Sequence, residues 1–315
     1  MFNIYNASFL ITSTCAKLIL IEMHYFFSSV ESLDFNKCSN LNLLKIDQFN
    51  ILKKIKNMDY KNQITIDLNA DLGEFQTDTQ YLYELQILNH VSSCNIACGG
   101  HTGNDESMKK IIVACQKNKV SIGAHPSYPD PMGFGRRSIE INESRLKESL
   151  IHQINKLVAL SKELNTKPTH VKAHGALYHD VSNSKDVATL FVDVINQIDP
   201  NLYILGLPGS AIESVVEEHG MRFICEAFLD RRYSDSGFLL NRSQQGAILE
   251  NVSECCEQAV NIVCNNKVQT ETGGLINITA ETLCLHSDSP NALKTAARVR
   301  SELEKINITI QSFVV

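Results

Sequence analysis

From Ile64 onward the chain alternates short apolar runs with segments of helical period. Runs at 64–70, 93–98, 120–124, 169–173, 202–207, 222–228 and 281–285 read as strands. Helices are predicted between them, around 77–89, 105–118, 211–219, 247–263 and 291–305. In the second of these, Met108, Ile111, Ile112 and Cys115 fall on one face. Asn142 caps a long helix whose apolar stripe is Leu146, Leu150, Ile154, Leu157 and Val158. Val187, Leu190, Phe191, Val194 and Ile195 mark another helical stripe. A Pro/Gly-rich loop at 126–137 breaks the alternation once, and a second long loop follows 228. Seven βα units in sequence, with no linker between them, predict an α/β fold in which parallel strands close into a barrel. A doubly wound open sheet is the alternative.

The apolar runs share a second feature: they end on polar residues. Asn95-Ile-Ala-Cys-Gly-Gly-His101, Val120-Ser-Ile-Gly-Ala-His125, His170-Val-Lys-Ala-His174 and Thr282-Leu-Cys-Leu-His286 each finish on histidine. The first run, Ile64-Thr-Ile-Asp-Leu-Asn-Ala-Asp71-Leu-Gly-Glu74, finishes on acids. Parallel α/β folds build their sites from the C-terminal tips of strands. A lone histidine in an apolar run is more often a satisfied core residue than a catalyst. Four at equivalent strand ends predict one cavity at the barrel mouth, lined by His101, His125, His174, His286 and Asp71.

Residues 1–57 carry neither the alternation nor the tips. The apolar-rich stretch 9–27 is interrupted by Lys17, Glu22 and His24, which is poor for a membrane-spanning helix. It lacks the basic start and cleavage site of a secretory signal and the arginines of a transit peptide. The expectation is that 1–57 is a disordered extension or the product of an upstream start. The barrel domain is then expected over 58–315. The net charge of −6 argues against a nucleic-acid partner. The ten cysteines include no CxxC pair and read as reduced, cytosolic thiols, which places the protein in the cytoplasm.

Eight segments, in order, resemble the LamB/YcsF lactam-utilisation family, to which the A subunit of the prokaryotic-type 5-oxoprolinase belongs. They are Asp67-Leu-Asn-Ala-Asp-Leu-Gly-Glu74, Asn95-Ile-Ala-Cys-Gly-Gly-His-Thr-Gly103, Gly123-Ala-His-Pro126, Gly133-Phe-Gly-Arg-Arg137, Val171-Lys-Ala-His-Gly175, Asp230-Arg-Arg232, Arg242-Ser-Gln-Gln-Gly246 and Cys284-Leu-His286. The match covers about 64–308, as the run of motifs along the barrel requires. The resemblance implies a (β/α)7 barrel similar to the glycoside hydrolase/deacetylase superfamily. It implies ATP-dependent opening of 5-oxo-L-proline to L-glutamate, with Mg2+ accompanying ATP and with partner subunits B and C. Three positions depart from the family pattern: Ala173 stands for Pro, Asn104 for Asp and Ser287 for Gly. Asn104 removes a carboxylate near the second strand tip, with Asp105 beside it.

A five-membered lactam is a resonance-stabilised amide, and phosphorylating its oxygen makes the carbon electrophilic. The site then needs a base for water, cations for the oxyanion and phosphoryl group, and an acid for the leaving nitrogen. Asp71 or Glu74 is the candidate base; the lesser reading of Glu74 is that it caps or solvates the loop. Lys172, mid-strand beside His174, is expected inside the barrel as a cation. Arg136 and Arg137, after Gly133-Phe-Gly135, form either a phosphate clamp or an ordinary surface loop. Asp230 and Arg231 carry the same ambiguity. Glu226, inside an apolar run, is expected to pair with an arginine or face the barrel mouth. The 315 residues hold no GxxxxGK[ST], so ATP binding does not use a P-loop. Two other readings stay open. One is a metal-dependent amidase or deacetylase with a divalent ion on Asp71, His101 and His125. The other is a non-catalytic scaffold role within the complex.

Overall fold

The computed structural model describes residues 64–314. The extension expected over 1–57, and the boundary expected at 58, lie outside the described residues. Strands β1 (Thr65–Leu72), β2 (Ser93–Ala97), β3 (Ser121–His125), β4 (His170–Lys172), β5 (Tyr203–Gly206) and β6 (Arg222–Phe228) pair in sequence order, all parallel. A small antiparallel hairpin, β7 (Lys267–Gln269) and β8 (Leu275–Asn277), stands apart. Strand β9 (Thr282–His286) pairs with both β6 and β1 and closes a seven-stranded parallel barrel. Closure leaves no open sheet edge, so the doubly wound alternative does not hold. A short β10 (Thr309–Ile310) adds to the start of β1.

Helices α1 (Asp78–Leu88), α2 (Asp105–Asn118), α3 (Glu143–Glu163), α4 (Gly175–Asn183), α5 (Lys185–Ile198), α6 (Ala211–Glu218), α7 (Val252–Asn265) and α8 (Ala292–Lys305) follow the strands. Their apolar stripes pack on the barrel as the periodicity requires. Met108, Ile111, Ile112 and Cys115 of α2 are buried, as are Leu146, Leu150, Ile154 and Leu157 of α3, with Val158 half-buried. Asn104 caps α2 by accepting from the Ser107 N–H. Its side chain therefore serves the helix, and the carboxylate missing there is missing from a cap. The helix expected from 247 begins at Val252, where the Asn251 side chain accepts from the Ser253 N–H. Residues before it are drawn into loop pairings, Arg231 with Ile248 and Tyr233 with Leu239. Helix α4, the hairpin and β10 were not legible in the apolar pattern.

The barrel interior is polar. In β1 the alternation sends Ile66, Leu68, Ala70 and Leu72 to the apolar core, while Asp67, Asn69 and Asp71 point inward. Asp67 accepts from the hydroxyls of Ser92 (2.6 Å) and Ser93 (2.7 Å) and from Thr282. One layer up, the Asn69 amide donates to Glu226 (3.0 Å) and Thr282 (2.7 Å). Asn95 donates to Asn69 and Asp71, both at 2.8 Å, and its carbonyl bonds His170 Nε2 at 2.9 Å. Gly123 makes room for that imidazole: a Cβ there would lie 2.2 Å from the His170 ring. Buried polar groups are tolerated when each has a partner, and this column supplies one for most of them.

Among the described residues no helix is long and apolar enough to cross a membrane. Cys94, Cys98, Cys115, Cys225, Cys255, Cys256 and Cys284 are free thiols. Cys94 and Cys115 face each other as thiols, Sγ to Sγ at 3.2 Å.

Candidate active site

The polar column ends at the C-terminal mouth, below a cleft of about 770 Å³. Asp71 forms the centre of its floor. Its Oδ1 accepts from Lys172 Nζ at 2.9 Å and Asn95 at 2.8 Å. Its Oδ2 lies 3.3 Å from His125 Nε2 and 4.0 Å from His286 Nε2. Burial alone would raise the Asp71 pKa, but the charges of His125 and Lys172 outweigh it and hold the carboxyl well below its ordinary range.

Lys172 is buried inside the barrel, as expected. Its ammonium also reaches Glu226 at 3.1 Å and Cys284 Sγ at 2.9 Å. Burial opposes its charge, yet Asp71, Cys284 and Glu226 keep it protonated well above the ordinary lysine range. Glu226 thus pairs with a lysine deep in the barrel. It meets neither an arginine nor the mouth, because β6 turns its position 226 toward the axis beside Asn69.

Three histidines crowd beside Asp71. His125 Nδ1 bonds the Lys172 carbonyl at 2.8 Å, and His174 Nε2 bonds the Phe134 carbonyl at 2.9 Å. A carbonyl only accepts, so each of these nitrogens carries its proton. The remaining nitrogens, His125 Nε2 and His174 Nδ1, face each other at 3.0 Å. Two neutral rings so arranged would oppose lone pairs, so the facing nitrogens suit a cation held between them. His101 lies behind them, stacked on His174 with ring centres 3.6 Å apart. Its Nε2 bonds Glu74 at 3.0 Å and its Nδ1 contacts Ser127 Oγ at 3.1 Å. Burial, with His101 and His125 close by, keeps His174 neutral far below the usual histidine range.

His286 approaches from the other side. Its Nδ1 bonds Asp230 at 3.0 Å and its ring stacks on Phe228. Asp230 also accepts from the His286 N–H at 3.1 Å and from Ser289. Burial works against its charge, but His286 and Ser289 hold Asp230 ionised far below the ordinary range. Asp230 therefore positions His286 and does not line the cleft.

The expected site residues separate on this geometry. Asp71, His125, Lys172, His174, His286, Arg136 and Arg231 line the cleft. His101 and Glu74 form a layer behind it. Arg137 turns away and is held by Asp130, at 2.9 Å from its Nε. Arg136 and Arg137 consequently do not act as one clamp. The expected metal set of Asp71, His101 and His125 is also corrected. Ligand atoms of Asp71, His125 and His174 converge, whereas His101 groups with Glu74 and His174. His101 points back toward Glu74 because its strand tip turns through Gly99 and Gly100 before reaching it. The motifs hid His170, Asn69 and Asn95; their signal was the period-two polarity of the strands themselves. Arg242 stands in a family-like segment and Asp288 two residues past one, and neither carried a role in the sequence.

The LamB/YcsF family model matches residues 66–315. The chain is 37% identical over 250 residues to the 5-oxoprolinase A subunit of Staphylococcus epidermidis, a span covering 79% of this chain and 99% of that protein. It is 34% identical over 245 residues to the 5-oxoprolinase A subunit of Pyrococcus furiosus, covering 78% and 96%. The crystal structure of the lactam utilization protein from Thermus thermophilus superposes with a TM-score of 0.74 at 34% identity, over 79% of this chain and all of that one.

Proposed function

The chain belongs to the LamB/YcsF family, and from that premise we propose that it is the A subunit of a multi-subunit 5-oxoprolinase. In this reading it opens 5-oxo-L-proline to L-glutamate, with ATP consumed by the complex it forms with subunits B and C. The observation that carries the reading is the floor of the cleft: a buried Lys172–Asp71 pair flanked by His125, His174 and His286.

The roles follow from the environments. Asp71 is held so strongly ionised that it is a weak base. It serves as the fixed negative charge that organises Lys172 and His125. His286 is the better base. Asp230 accepts the hydrogen bond from its Nδ1–H, which leaves the Nε2 lone pair toward the cleft. Once ATP has phosphorylated the lactam oxygen, His286 removes a proton from water as its oxygen bonds the ring carbon. The ring C–N bond breaks, the nitrogen takes up a proton from the imidazolium, and an acyl phosphate of glutamate remains; a second water then attacks its phosphorus, so that phosphate leaves and the carboxylate keeps the former lactam oxygen and the oxygen of the first water. Lys172, at the floor of the cleft, is the cation offered to the developing negative charge. The chain has no P-loop, which supports assigning part of the nucleotide handling to the partners.

The test is a paired substitution. His286→Asn and Asp230→Asn, assayed with partners, should each lower kcat by about 10²–10⁴-fold with KM little changed. Unchanged kcat in both would remove His286 from the chemistry.

One observation favours a second reading, a metal-dependent amidase. The donors of Asp71, His125 and His174 converge, and both imidazoles are oriented by backbone carbonyls, an arrangement common around metal ligands. These three residues would hold a divalent ion, which supplies Lewis-acid activation of water when bound. Amide hydrolysis that needs no ATP and stops on adding a chelator would favour it.

A further inference from the structure

The lining of the cleft also holds three guanidiniums and a carboxylate. Arg136 comes from the loop after β3, Arg231 and Arg242 from the loop after β6, and Asp288 from the turn after β9. Arg136 Nη2 bonds one oxygen of Asp288, and Arg242 Nη2 reaches the other at 3.3 Å. Each oxygen of the carboxylate thus takes a different arginine. Asp288 and Arg136 are each about one-third exposed at the side chain, 34% and 33%, so solvent reaches this contact from the cleft.

Arg231 is the unusual member. The residue is only 3% exposed, yet it lines the cleft. Its guanidinium donates to the backbone carbonyls of Leu240 and Ala247. Among the described residues no carboxylate lies within ion-pair distance of it. Burial, and then Arg242, press its pKa down to about 10, while Asp230 opposes them. A buried cation without a counter-ion is costly unless an anion arrives.

We propose that Arg231, Arg242 and Arg136 form a carboxylate subsite, and that Asp288 fills it as an internal placeholder until a ligand carboxylate displaces it. Both ends of an acidic lactam then have a place. The ring lies over Asp71 and His286, and its carboxylate lies between Arg242 and Arg231. This inference rests on the 5-oxoproline reading only for the identity of the ring; the carboxylate preference stands on the arginines. It makes Asp288 a competitor of the ligand, which a merely structural aspartate would not be.

The experiment measures binding to the full chain by ligand-observed NMR, with four probes. They are 5-oxo-L-proline, 2-pyrrolidinone (the ring without the carboxylate), cyclopentanecarboxylate (the carboxylate without the lactam) and inorganic phosphate. Asp288→Asn should tighten both carboxylates about tenfold or more, because two charged hydrogen bonds become available. Arg242→Gln and Arg231→Gln should weaken both by a similar factor. 2-Pyrrolidinone should respond to none of them. Asp288 and Arg242 are partly exposed, so their variants keep the test sound if Arg231→Gln does not fold. If cyclopentanecarboxylate follows this pattern while 5-oxo-L-proline binds no tighter, the subsite stands and the 5-oxoproline reading falls. If Asp288→Asn tightens neither carboxylate, or leaves no measurable binding, the subsite is overturned. A gain confined to phosphate would overturn the carboxylate assignment in favour of a phosphoryl site.

Discussion

Lys172 shows how one residue sets both stability and chemistry. It is the cation shared by Asp71 and Glu226, both buried. Lys172→Met should cost about 3–5 kcal/mol, because two carboxylates lose their partner in a dry interior. Adding Glu226→Gln to that variant should recover part of the loss, since it removes one of the stranded charges. Thermal melts of the two variants check the sign, and a second substitution that destabilises further would contradict it. Asp67, two layers below, gives a pH signature. Burial raises it from 3.8 to about 6, against the pull of Ser92, Ser93 and Thr282. Its folded pKa is above its unfolded one. Its contribution is therefore fully present below pH 3.8 and lost as pH rises through about 6, a swing of ~3 kcal/mol. Asp67→Asn should flatten stability against pH between 4 and 6, as thermal melts across that range would record.

At the scale of elements, the site depends on how each strand stops. β4 ends at Lys172, and α4 begins three residues on, at Gly175. Gly175 has φ +58°, and a Cβ there would lie 2.4 Å from the Gly135 carbonyl oxygen. That contact ties the start of α4 to the loop that supplies the Phe134 carbonyl for His174. Gly175→Ala should therefore destabilise by roughly 1–3 kcal/mol and lower turnover. Near-normal turnover with only reduced stability would show that His174 keeps its orientation without this junction. The strands themselves were legible, because buried parallel strands write their apolar side as short runs. The Lys172 interior position and the histidine tips followed from the same runs. The direction of each tip did not. His101 and Arg137 sit in motifs as suggestive as those of His125 and Arg136, yet turns send them toward Glu74 and Asp130. Helix α4 escaped because its buried residues, Leu177, Tyr178 and Val181, begin directly at a strand tip, without a side-chain cap to mark the start.

For the whole molecule, the closed barrel makes one mouth out of seven strand ends, and the cleft there is the place where the motifs meet. The polar column beneath it is the less expected feature, since a barrel core filled with branched apolar side chains would hold the fold more simply. Here the interior from Asp67 to Asp71 is a hydrogen-bonded support for the floor of the cleft. The barrel was legible from the βα repeat. The column was not, because inward polar positions alternate with apolar ones inside runs that read as uniformly buried.

The proposed activity is the opening of 5-oxo-L-proline by this chain as one part of a complex. The most direct measurement follows glutamate and ADP together, with the full chain assayed alone, with subunits B and C, and with those subunits alone. Glutamate should appear only when all three are present, with ADP formed alongside, and His286→Asn should abolish it. Robust ATP-coupled turnover by the isolated chain, or full activity of B and C without it, would rule out this shared role.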